Sequence, residues 1–122
     1  ETLAYMKDQG MKIAVLTNKP HERGITVVES LYGKNFFDDI LGQQEGIPRK
    51  PNPKGAFLLA SRMNVKPSEC LYVGDTNVDM ETGNKAGMHT VGVLWGFRDR
   101  QELEENHAHV IISKPEELKN LI

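Results

Sequence analysis

Short apolar runs that alternate with helix-forming segments along the whole chain constrain its fold more than any other feature. Residues 11–17, 70–74, 89–94 and 110–112 each combine β-branched or aliphatic residues with flanking breakers, the pattern of short buried strands. A weaker candidate strand covers residues 38–42. Between them lie helical stretches. Residues 1–9 close on Gly10, and Pro20 opens a helix that runs to Tyr32 and stops at Gly33. Pro53 or Lys54 opens another, with Ala56, Leu59, Ala60 and Met63 at helical spacing. Residues 78–86 form a further helix ended by Gly87, and residues 100–105 and 115–121 form the last two. Such alternation predicts βαβ units, hence an α/β fold with a parallel sheet and helices on both faces.

In a sheet of that kind every strand-to-helix loop emerges on one edge, so residues distant in sequence meet in space. Three loops there carry chemistry. Thr17 and Asn18 follow the first strand with a hydroxyl, a carboxamide and the amides of a helix start, which suit an anion or else simply cap the helix. Lys50 lies in a stiff segment with Pro48, Pro51 and Pro53, either as a fixed ammonium over a dianion or as a solvated surface lysine. Asp75 and Asp79 follow the strand at residues 70–74. They are either a turn residue and a helix-start acid or a pair of hard oxygen ligands for an ion such as Mg²⁺. Hydroxyl, ammonium and paired carboxylates together fit phosphoryl transfer, which needs positioned donors, a cation and a metal.

The ordered set Leu16-Thr17-Asn18-Lys19-Pro20, Arg49-Lys50-Pro51-Asn52-Pro53 and Val73-Gly74-Asp75-Thr76-Asn77-Val78-Asp79 resembles the second, third and fourth motifs of the haloacid dehalogenase superfamily. The resemblance covers nearly the whole chain. Asn18-Lys19-Pro20, Ala86-Gly87-Met88 and Val93-Leu94-Trp95-Gly96-Phe97 most resemble phosphoglycolate phosphatase-like members. It implies that Thr17 and the Asn18 amides bind the transferring phosphoryl group. Lys50 would neutralise it, Asp75 would bind Mg²⁺, and Asp79 would support the metal shell or orient Lys50. It also implies a three-layer Rossmann-like core, and hydrolysis of a small phosphate monoester through an aspartyl phosphate, with 2-phosphoglycolate as first candidate. A nucleotidase, a phosphotransferase or dehalogenase on the same scaffold, and a non-catalytic Rossmann-like interaction or regulatory module are the alternatives.

Members of the superfamily carry a first motif, Asp-x-Asp, on an earlier strand, and this chain has none in such a place. Asp38 and Asp39 are adjacent and follow Phe37, and Asp99 lies in a loop. By resemblance the missing strand lies mid-sheet, between strands 11–17 and 70–74. The chain also opens inside a helical pattern without an initiator Met. The expectation is one partial core domain over residues 1–122, with the first motif and any cap upstream of residue 1. Alone it should be inactive, and it should self-associate or pair with that upstream segment.

Charge and composition narrow the partners. A net charge of -2 with 26% charged residues gives no basic footprint for nucleic acid, and no apolar run approaches a membrane span. A cytoplasmic protein acting on a small phosphorylated metabolite is expected. The single cysteine, Cys70, reads as a packed thiol. The four histidines share no metal-binding spacing, and Tyr72, Trp95 and Phe97 read as packing groups. Arg98 is a candidate for the site rim.

Overall fold

The computed structural model describes residues 2–94 and 100–121. Strands and helices alternate as α1 (Thr2–Asp8), β1 (Ala14–Pro20), α2 (His21–Tyr32), β2 (Asp39–Gln43), α3 (Lys54–Arg62), β3 (Leu71–Gly74), α4 (Asn77–Lys85), β4 (His89–Val93), α5 (Arg100–Glu105) and β5 (Val110–Ile112). The chain ends in a 3-10 helix over Pro115–Leu121, and a 3-10 turn over Pro67–Glu69 leads into β3. All the strand pairs are parallel, β1 with β2 and β3 with β4 and β5 in order. The α/β architecture with parallel strands and helices on both faces is therefore the one the alternation predicts.

Two apolar clusters hold the layers. On one face Val91, Val93 and Ile112 pack against Met6 of α1 and Leu118 of the C-terminal 3-10 helix. On the other, Ala56 and Ala60 of α3 meet Ala86 and Met88, with Leu16 and Tyr72 against them. The alanines recur at helical spacing and let α3 approach closely, as small residues allow. The sheet itself is divided. Among the described residues β1 pairs only with β2, and β3 only with β4, so the two sheets stay separate.

Between β1 and β3 lies a cavity of about 710 Å³ with apolar walls from Met6, Leu16, Leu59 and Met88, and with Lys50, Asp75 and Asp79 in its lining. Residues of both sheets line it, from Ala14 and Leu16 of β1 to Leu71, Tyr72 and Val73 of β3.

Element ends depart from the sequence expectation at β1. It starts at Ala14, not residue 11, and continues through Pro20. Ile13 is held instead by Asp38, whose carboxylate accepts its N–H at 2.7 Å while the Asp38 N–H bonds its carbonyl at 2.7 Å. Pro20, at φ -50° and ψ 141°, is extended and precedes the helix rather than opening it, a conformation proline adopts readily. Gly10, Gly33 and Gly87 have φ of 85°, 88° and 77° and end α1, α2 and α4, as the sequence predicts.

Candidate active site

The β3–α4 turn builds the acidic half of the site. Thr76 is the N-cap of α4: its hydroxyl accepts the Asp79 N–H and donates to Asp79 Oδ2, both at 3.2 Å. The Asp75 N–H donates to the same oxygen at 3.2 Å. Asp79 is thus bent back over the turn, against Gly74. A Cβ at residue 74 would lie 2.3 Å from Asp79 Cβ and 2.6 Å from its Oδ2, so only glycine permits the approach.

The cationic half comes from the loop after β2. Lys50 lines the cavity, its ammonium donating to Asp79 Oδ1 at 2.9 Å and to the Leu16 carbonyl at 3.5 Å. The two side chains are 15% and 13% exposed, so the pair is largely withdrawn from water. Asn18 stands beside it. Its Oδ1 accepts the Lys50 N–H at 2.9 Å, its Nδ2 donates to the Lys50 carbonyl at 3.4 Å, and Arg49 donates to the Asn18 carbonyl at 3.4 Å.

Thr17 is placed differently. Its hydroxyl accepts the Lys19 N–H at 3.1 Å, and its methyl faces Gly24 of α2, where a Cβ would come within 3.0 Å. Thr17 and Asn18 lie within β1, which runs on to Pro20, and not after it as the sequence predicts; Lys50, Asp75 and Asp79 line the cavity and these two do not. The structure therefore groups Lys50, Asp75, Asp79 and Asn18 through direct contacts, with Thr17 alongside.

For a divalent cation the donors are carboxylates, the hard oxygen type that Mg²⁺ takes. Among the described residues no group of three or more His, Cys, Asp or Glu side chains could hold a metal. Both Asp79 oxygens already accept hydrogen bonds.

The sequence does not single out Thr76, whereas Tyr72 packs against the cluster of Ala56, Ala60, Ala86 and Met88, the packing role expected of it. Burial and the nearby Asp79 charge push the Tyr72 phenol above its ordinary value, against a hydrogen bond with Thr82. The threonine three residues before Asp79 is a capping pattern and was the available signal for Thr76. The histidines do structural work. His21 Nδ1 accepts the Gly42 N–H at 3.0 Å, and His109 Nδ1 accepts the Thr90 N–H at 2.9 Å while its ring stacks on His89 at 4.7 Å. Trp95, Phe97 and Arg98 lie outside the described residues.

Known proteins resemble this chain in sequence and fold. The sequence is 30% identical over 122 residues to the phosphoglycolate phosphatase of Pectobacterium atrosepticum, covering 100% of this chain and 52% of that protein. It is 31% identical over 121 residues to the phosphoglycolate phosphatase of Aquifex aeolicus, covering 99% and 55%. The chain thus spans about half the length of these curated relatives. A crystal structure from Lactobacillus delbrueckii subsp. bulgaricus superposes with a TM-score of 0.93 at 34% identity, over 99% of this chain and 50% of the other. The sequence profile of the haloacid dehalogenase-like hydrolases matches residues 1–93, and the chain belongs to that family.

Proposed function

We propose that this chain is the phosphate- and metal-holding part of a cytoplasmic Mg²⁺-dependent phosphatase that hydrolyses a small phosphate monoester, with 2-phosphoglycolate as first candidate. The observation that carries the reading is the Lys50–Asp79 pair, set at 2.9 Å in the lining of the cavity between β1 and β3. An ammonium fixed there can neutralise phosphoryl oxygens as charge develops on them. Thr17, whose hydroxyl accepts from Lys19, keeps its own proton to donate to the same group. Asp79 orients Lys50 through Oδ1, and Asp75 is the carboxylate that would hold Mg²⁺, with Asp79 supporting it. When bound, the ion supplies further neutralisation of the transferring group.

The attacking carboxylate belongs, on this reading, to a further strand seated between β1 and β3, and forms the aspartyl phosphate. That strand, and any cap that selects the substrate, would come from sequence preceding this partial core domain. The names of the curated relatives support the substrate class. The test is phosphate release from a panel of small monoesters, with Mg²⁺ and with chelator, by the isolated chain and by the intact gene product that carries it. Mg²⁺-dependent turnover by the intact product alone is expected. Comparable turnover by the isolated chain would overturn the missing nucleophile. An intact product that hydrolyses none of the esters would favour a non-catalytic module.

A further inference from the structure

Asn18 carries a motif position whose side chain, on sequence grounds, faces an anion or caps α2. The structure shows no capping contact and a different partner for it. Pro20 is the N-cap of α2, and no side chain caps that helix. The Asn18 carboxamide instead lies along the backbone of Lys50, accepting its N–H at 2.9 Å and donating to its carbonyl at 3.4 Å. A carboxamide presents the same donor and acceptor as a peptide group. This two-point contact therefore imitates one rung of a β-ladder between β1 and a loop that contributes no strand there. The residues are 32 apart in sequence, so the contact ties the end of one βα unit to the loop of the next. Arg49 closes the clasp from the loop side through the Asn18 carbonyl at 3.4 Å.

We infer that Asn18 is a positioning residue: its side chain fixes the Lys50 backbone so that the ammonium reaches Asp79 and the phosphoryl site, and does not itself bind phosphate. The inference rests on the proposed phosphatase reading. The physical reason is reach. A lysine has four flexible side-chain bonds, so an ammonium held at 2.9 Å from one carboxylate oxygen needs its Cα fixed as well as its partner. Asp79 fixes the tip, and Asn18 fixes the base.

A double-mutant cycle on kcat/KM in the intact gene product tests this, with thermal unfolding of each variant alongside. Lys50→Ala is expected to lower kcat/KM by at least about tenfold, and Asn18→Ala by about fivefold or more. In the Lys50→Ala background, Asn18→Ala should change kcat/KM by less than about twofold, because the residue acts only through Lys50. Asn18→Asp keeps the 2.9 Å acceptor and loses the 3.4 Å donor. It should cost less than Asn18→Ala, and it carries the test if the alanine variant does not fold. A general loss of stability would lower both backgrounds alike. Additive losses, or an Asn18→Ala variant with wild-type kcat/KM, would overturn the inference while Lys50→Ala still upheld the phosphatase reading. A Lys50→Ala variant with undiminished turnover would overturn both.

Discussion

Lys50 and Asp79 meet with side chains 15% and 13% exposed, and the two members of the pair are supported unequally. Asp79 keeps the Asp75 N–H and the Thr76 hydroxyl if Lys50 is removed. Lys50 without Asp79 retains, among the described residues, one long bond, to the Leu16 carbonyl at 3.5 Å. Asp79→Ala should therefore destabilise the protein by about 3 kcal/mol in urea unfolding, the usual cost of stranding a buried charge, and Lys50→Met by clearly less. Equal losses would contradict this asymmetry. At Cys70, burial and the neighbouring Glu69 raise the thiol above its ordinary value. Its alkylation by iodoacetamide at neutral pH should be slower than that of a free cysteine, since the thiolate is the nucleophile. Lys50, Asp75 and Asp79 were legible because charged residues beside strand ends stand out in a sequence. The contact of Asn18 with the Lys50 backbone was not, since a carboxamide is compatible with a cap, an anion or a backbone clasp until its partner is known.

The strands and helices followed from periodicity and glycine placement, and they fall close to where the sequence puts them. The start and end of β1 did not, because they depend on Asp38 holding Ile13 from outside the strand and on Pro20 staying extended. Helix α4 depends on its cap. Thr76→Ala removes an acceptor for the Asp79 N–H and a donor to its carboxylate, and should cost about 1 kcal/mol in denaturant unfolding. The C-terminal 3-10 helix has a comparable device. Glu117 accepts hydrogen bonds from the Ser113 hydroxyl and from the Ser113 and Lys114 N–H groups, and these hold its carboxyl below the ordinary range. A carboxyl with a depressed folded value contributes stability above its unfolded value and loses it as pH falls through the folded one. The stability difference between wild type and Glu117→Gln should accordingly shrink as pH drops below about 4, measured by thermal unfolding. A difference independent of pH would contradict that capping role.

Across the whole molecule the organising fact is the gap between two parallel sheets. Alternation in the sequence announced the α/β architecture, but periodicity describes only strands that are present. A strand between β1 and β3 is expected from the family resemblance alone, and a cavity lies between those two strands. Strand edges without partners are templates for pairing. The isolated chain should sediment as dimers or larger species at micromolar concentration, and a strictly monomeric chain would contradict this. The central claim is that Lys50 and Asp75 serve phosphoryl transfer at the edge of that gap. Phosphate release from small monoesters by the intact gene product with Mg²⁺, compared among wild type, Lys50→Ala and Asp75→Asn, tests it most directly. Each substitution should slow turnover by at least about tenfold, equivalent to ~1.4 kcal/mol of barrier. Turnover unchanged by both would contradict it.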